Sequence, residues 1–319
     1  MKDYRMIELA ALSIDCSGPW LFWPEQPSEL LIRSIRDYGQ LEPVLLQEFQ
    51  GGYSLISGLK RLRACSANDQ NVLGITLNCS ELEKGHIYLH SNLQRISGAA
   101  SLLPAARFFQ KRLLQDEWSS FWHSELSQLL NRKELKLLDD WLRSDGDWDY
   151  LVCSGHISLE TAPWICGFSR RDLCALEPFL SSMYWSRNNS VSFVKWIFEI
   201  AQSRDLTVQQ FLEHCSLPEL LQEEISPRDC QKKILDLLRA ERFPNLYSLE
   251  AEFSRLQKEV ASGTGWKVIP EQNFETDRLY LQAKVEGPAD LESAVQGLGE
   301  IKDRGSLHRI WQWQKDNLD

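Results

Sequence analysis

The chain has 319 residues, 43% of them hydrophobic and 25% charged, enough for two or three compact domains with real cores. Its net charge of −10 argues against broad, sequence-independent DNA binding, which needs a cationic surface to displace counterions, although a local basic face remains compatible with it. No stretch approaches the roughly 20 apolar residues of a membrane-spanning helix, and the polar start Met1-Lys-Asp-Tyr-Arg-Met-Ile-Glu-Leu9 is no signal peptide, so a cytoplasmic protein without a membrane partner is expected.

In chain order, Ser28 to Tyr38 sets Leu30, Leu31, Ile35 and Tyr38 along one helical face, and Gly39 supplies a stop. Pro43 to Gln47 and Tyr53 to Ile56 read as strands flanking Gly51-Gly52, a hairpin signal, and Leu73 to Leu77 as another strand after an intervening helix. The first 96 residues thus form a mixed α+β domain. Residues 97–242 carry long helical patterns, broken at Asp145 to Asp149 and at Trp185 to Ser190. Residues 243–319 form a small α+β unit: a helix from Leu246 to Val260, a turn at Ser262 to Gly265, strands at Trp266 to Ile269 and Arg278 to Val285, and a helix from Pro288 to Leu298.

Eight scattered cysteines form no Cys-x-x-Cys pair and no zinc-spaced cluster, so they read as reduced thiols rather than as a disulfide framework. Most of the twelve tryptophans sit in apolar, helix-like surroundings, where core packing is the default. His86 and His90 stand four residues apart, a spacing that can bind metal on a helix, but no third ligand follows from the sequence and no metal site is expected.

The local feature richest in chemistry is Ser57-Gly58-Leu59-Lys60-Arg61-Leu62-Arg63-Ala64, where a strand ends on glycine and a helix opens with three cations. Glycine allows close backbone approach, the free amides of a helix N-terminus face an anion, and Lys60, Arg61 and Arg63 add compensating charge. A basic first turn on a solvated helix accounts for the same residues.

The surrounding order of features resembles the N-terminal domain of the ParB family of chromosome-partition proteins. Ser34 to Val44, a helix ending in glycine with proline four residues later, resembles the family's first motif; Tyr53 to Ala64 resembles the second, Gly-Glu-Arg-Arg-x-x-Ala; and Asn92-Leu-Gln-Arg95 resembles the third, Glu-Asn-x-Gln-Arg. The resemblance implies a ParB/sulfiredoxin-like nucleotide-binding fold that takes CTP with Mg2+, held by Gly58, Lys60, Arg61, Arg63, Asn92, Gln94 and Arg95. It also implies a homodimer. Leu59 and Ser91 stand where the family has acidic residues, which weakens the case for CTP hydrolysis and leaves the catalytic residues unassigned. Sulfiredoxin chemistry would need a cysteine at position 59, and phosphotransfer to serine would need an acidic base that the sequence does not offer. No paired-carboxylate constellation supports a nuclease.

The family also carries a helix-turn-helix after the third motif. The candidate here is Ser124 to Leu130 followed by Arg132 to Arg143, with Arg132, Lys133 and Lys136 as the DNA-facing cations. Asp139 and Asp140, then Asp145, Asp147 and Asp149, oppose phosphate contact by the second half, which favours a helical scaffold or protein-contact surface there. Three readings follow: a CTP-binding regulator of the DNA-partition or transcription type whose ligand controls protomer engagement; a sequence-specific DNA-binding ParB paralogue without turnover; and an interaction module with a decayed pocket.

Overall fold

The computed structural model describes residues 4–24, 26–49, 51–271, 278–303 and 307–318, and the chain divides into two compact units, Met1–Lys232 and Lys233–Asp319. The first unit begins with a five-stranded mixed sheet of β1 (Arg5–Ala10), β2 (Ile14–Asp15), β3 (Val44–Phe49), β4 (Gly52–Ser57) and β5 (Asn71–Thr76), in the order β1-β5-β3-β4-β2. β3 and β4 form the antiparallel hairpin expected around Gly51-Gly52, β1 runs antiparallel to β5, and the β3/β5 and β2/β4 pairs are parallel. β1 lies outside the sequence expectation. Arg5, Met6 and Glu8 are exposed on this edge strand, so its residues show no clean apolar alternation.

Helices α1 (Glu29–Tyr38), α2 (Leu59–Ala67) and α3 (Glu81–His90) complete the α+β domain. The Ser28 hydroxyl accepts from the Leu31 amide and starts α1, and a Ser80/Glu83 capping box starts α3. Ile35, Leu46, Leu55, Leu59, Leu62 and Val72 share one core cluster, whereas Ile56, Leu77 and Cys79 form another with Ile87 of α3 packed against it. Apolar partners therefore lie on both faces of β4, and Ser54 through Ser57 are buried without a break.

The stretch between β2 and α1 contributes a third layer of packing. Trp20, Phe22 and Trp23 are buried; the Trp20 indole donates to the Leu55 carbonyl at 2.9 Å, and the Trp23 indole to the Ser101 carbonyl at 2.9 Å. Phe22 meets Tyr88 and Phe108 edge-on, at 5.6 and 5.3 Å between ring centroids. Phe108 lies on α4 (Ala99–Gln110), which approaches α3 closely: a Cβ on Gly85 would stand 2.5 Å from the Phe108 ring.

Beyond α4 come α5 (Gln115–Phe121), a π-helical turn (Trp122–Leu126), α6 (Ser127–Leu129), α7 (Arg132–Leu142) and α8 (Asp149–Cys153). Arg107 ties this region together from α4. Its buried guanidinium donates to the Asp149 carboxylate at 2.9 and 3.1 Å and to the carbonyls of Leu142 and Ser144 at 3.0 and 2.9 Å. Short α9 (Ala162–Ile165) and then α10 (Arg170–Ser181), α11 (Arg187–Arg204), α12 (Val208–His214) and α13 (Leu217–Leu220) follow, before α14 (Pro227–Arg242). The break expected at Asp145 to Asp149 lies between α7 and α8, where Gly146 takes a left-handed φ of 92°, whereas the one expected over Trp185 to Ser190 comes earlier, between Ser181 and Arg187: the Ser186 hydroxyl caps α11, and Arg187 to Ser190 are already helical.

The second unit contains α15 (Pro244–Ala261), the antiparallel pair β6 (Trp266–Pro270) and β7 (Leu279–Ala283), α16 (Pro288–Asp303) and α17 (Leu307–Leu318). Phe253, Val260, Val268, Ile301 and Ile310 make its core. α16 runs further than the expected Leu298, and α17 was not anticipated. Among the described residues, no helix is long and apolar enough to cross a membrane.

Candidate functional site

β4 carries the backbone to Ser57, and Gly58 turns it into α2. Gly58 has φ 105° and ψ 25°, and a Cβ there would lie 2.8 Å from Cγ1 of Val44. Backbone strain and lack of space thus both demand glycine. The first amides of a helix have no intrahelical acceptor, and Gly58 has no side chain to cap them, so α2 presents donors suited to an anion.

The cations around this turn have distinct surroundings. Arg61 donates to the Glu42 carboxylate at 2.5 Å. The Arg63 guanidinium donates instead to the Pro24 carbonyl at 2.8 Å. Lys60 is half-buried on the first turn of α2. Leu59, at the position where the sequence suggested a missing carboxylate, is 4% exposed and belongs to the core cluster, so its side chain serves packing.

The third motif closes against the second. The Ser57 and Ser91 hydroxyls are 2.7 Å apart. Asn92 is buried and donates to the Tyr88 carbonyl at 2.8 Å and the Ser91 hydroxyl at 3.1 Å, so it finishes α3. Arg95 donates to the Trp23 carbonyl at 3.3 Å, whereas Gln94 remains exposed on a 3-10 turn. The structure therefore brings the Gly58 turn beside the Ser91-Asn92 end of α3, and draws Arg63 and Arg95 onto Trp23-Pro24.

Of the glutamates near the motifs whose spacing in the sequence leaves them unplaced, Glu42, Glu48, Glu81 and Glu83, it is Glu42, adjacent to Pro43, that reaches Arg61; the aromatic segment Pro19-Trp-Leu-Phe-Trp-Pro24, which receives both Arg63 and Arg95, escaped the sequence reading. The prolines bracketing that run were its available signal. The uncapped amides of α2 with its nearby cations suit an anionic group such as a phosphate. Magnesium would seek oxygen donors, and the carboxylate at this helix is that of Glu42, already paired with Arg61.

Further along the chain, α7 follows the α5–α6 pair as the second helix of the proposed helix-turn-helix. Asn131 caps α7, accepting from the Lys133 and Glu134 amides at 3.0 Å each. Arg132, Lys133 and Lys136 are all exposed. Arg132 and Lys136 also line an open groove of about 480 Å³ with Gln115, Trp118, Trp122 and Asp139. The acidic residues expected to repel phosphate are largely compensated: Asp139 and Asp140 pair with Arg143 at 2.8 and 3.6 Å, Asp147 with Arg170 at 2.9 Å, and Asp149 with Arg107.

Residues 9–93 match the ParB N-terminal domain family. A curated relative, the probable chromosome-partitioning protein ParB of Campylobacter jejuni, is 23% identical over 210 residues, or 65% of this chain and 72% of the relative. C-terminally truncated ParB of Caulobacter crescentus, complexed to the centromeric parS site, matches 59% of this chain and 98% of its own at 17% identity and a TM-score of 0.31. The same protein complexed with CTP-gamma-S covers 56% and 99% at 20% identity, TM-score 0.24. A Pnob8-like ParB-N domain covers 79% and 98% at 12% identity, TM-score 0.37.

Proposed function

We propose that this chain, whose residues 9–93 match the ParB N-terminal domain family, is a divergent ParB-family protein and acts as a nucleotide-binding regulator of the DNA-partition or transcription type. CTP with Mg2+ is the ligand, and its binding controls how two protomers of a homodimer engage. The left-handed Gly58 at the uncapped start of α2, with Arg61 beside it, carries this reading.

The triphosphate takes the α2 amides, with Lys60 and Arg61 neutralising it. The Arg61–Glu42 pair is partly solvent-exposed, and such pairs contribute only about 0–1 kcal/mol, so phosphate can displace the carboxylate. Asn92 and Arg95 hold the end of α3 beside the phosphates, and Arg63 braces the Trp23-Pro24 segment. Bound magnesium would neutralise phosphate charge and draw most of its ligands from the phosphates and water. With Leu59 in the core and Ser91 engaged with Ser57, the reading is one of binding rather than turnover.

Ligand control of protomer engagement requires that the nucleotide favour one arrangement over another. Equilibrium dialysis with each of the four nucleoside triphosphates plus Mg2+ tests the assignment. Retention of CTP above the other three is expected; no retention of any would leave an interaction module as the function.

The exposed cations of α7 favour a second activity of the same protein, specific duplex binding, as befits a relative of a chromosome-partitioning protein. Retention of genomic fragments at two ionic strengths tests it, and capture of no sequence above background would sink it.

A further inference from the structure

His86 and His90 occupy successive turns of α3, and the fold brings a third donor to them that the sequence leaves far away. Glu125 reaches both imidazoles, with one carboxylate oxygen 3.4 Å from Nδ1 of His86 and the other 3.1 Å from Nε2 of His90. All three side chains can offer donor atoms within 4.8 Å of one another. We propose that His86, His90 and Glu125 form a binding site for a zinc-class divalent cation, which staples the third-motif end of α3 to the first helix of the helix-turn-helix.

The chemistry suits that ion. Two neutral imidazoles and a carboxylate, with a water completing the tetrahedron, are a zinc donor set. Bonds of about 2.0–2.2 Å separate tetrahedral donors by roughly 3.4 Å, the distance at which Nδ1 of His86 already stands from one Glu125 oxygen. Nε2 of His90 faces the other oxygen at 3.1 Å, and rotation of the exposed His90 ring would carry it toward the shared one.

The surroundings orient the donors. The His86 ring packs on Phe109 at 4.6 Å and edge-on to Phe121 at 5.5 Å, which fixes its direction. Glu125 belongs to the π-helical turn Trp122–Leu126, an irregularity that re-aims side chains within a helix and recurs at functional sites. His90 directly precedes Ser91 and Asn92, so an ion held there restrains the third motif and the α5–α6 pair together.

Zn2+ titration of the metal-stripped full chain, read by competition with a chromophoric chelator, tests the site without nucleotide. One equivalent is expected to bind, with affinity at least tenfold weaker in His90→Ala and in Glu125→Gln, both checked for folding by circular dichroism. The Cys153→Ser/Cys166→Ser/Cys174→Ser variant should retain full affinity. Co2+ substitution should give a tetrahedral visible spectrum without a thiolate-to-metal band. Absence of stoichiometric binding, equal affinity in the histidine and glutamate variants, or loss in the cysteine variant would overturn the proposal and leave a carboxylate–imidazole contact alone. Because the readout is metal binding, failure of the CTP assignment does not affect it.

Discussion

The Ser57 hydroxyl meets the Ser91 hydroxyl at 2.7 Å, joining the end of β4 to the end of α3. Ser57 lies within the second motif and Ser91 directly before the third, so their bond holds Gly58 and Asn92 in register before any ligand arrives. Ser57→Ala and Ser91→Ala are each expected to destabilise the protein by about 1 kcal/mol. In a double-mutant cycle read by urea denaturation, the two effects should couple by roughly 0.5–1 kcal/mol; strict additivity would show that the bond is not made in solution.

Gly58→Ala tests the turn itself. It combines a left-handed backbone with a Cβ 2.8 Å from Val44, so stability should fall by at least about 1–3 kcal/mol. A variant as stable as the parent would mean that the β4–α2 turn takes another shape.

Arg107 offers a test of the helical region. Its guanidinium is buried, and removing it leaves Asp149 without its bidentate partner in a site only 19% exposed. Arg107→Ala should cost about 3–5 kcal/mol, measured by denaturant unfolding with helicity as the probe. A loss below 1 kcal/mol would show the network to be dispensable.

Asp15 supplies a pH dependence with a defined sign. The Ser17 hydroxyl and the Ser17 amide hold its carboxyl below the usual carboxylate range, burial opposes them, and Lys84 adds a smaller pull in the same direction as Ser17. A depressed folded-state value stabilises the fold above the unfolded carboxyl pKa of about 3.9, and that contribution disappears as pH falls through the folded value. The stability gap between the parent and Asp15→Asn should therefore narrow below about pH 4. A gap that stays constant in acid would exclude the interaction.

The parts of this molecule legible in the sequence are those set by short-range chemistry. Gly51-Gly52 announced the β3–β4 hairpin, Ser28 and Gly39 bracketed α1, and the step from Ser57 to Gly58 marked the start of α2. What stayed hidden depends on distant partners. β1 is an edge strand with exposed Arg5, Met6 and Glu8, so it writes no periodic signature. Position 59 read as a lost carboxylate, but its orientation into the core follows from the packing of α2 on the sheet. Glu42 reaches Arg61 only once α2 is packed beside the start of β3, and Glu125 reaches His86 only once α3 and the π-helical turn are folded together. The acidic stretch beside α7 looked repulsive because Arg107, Arg143 and Arg170, which compensate it, are spread along three helical segments.

In the proposed complex the Gly58 turn and Arg61 hold the phosphates of CTP. Calorimetric titration of CTP and Mg2+ into the parent chain and into Arg61→Ala addresses this directly. Saturable binding to the parent, weakened at least tenfold in Arg61→Ala while the variant keeps its thermal stability within about 1 kcal/mol, is the predicted result. No heat of binding to the parent, or equal affinity in both proteins, would contradict it.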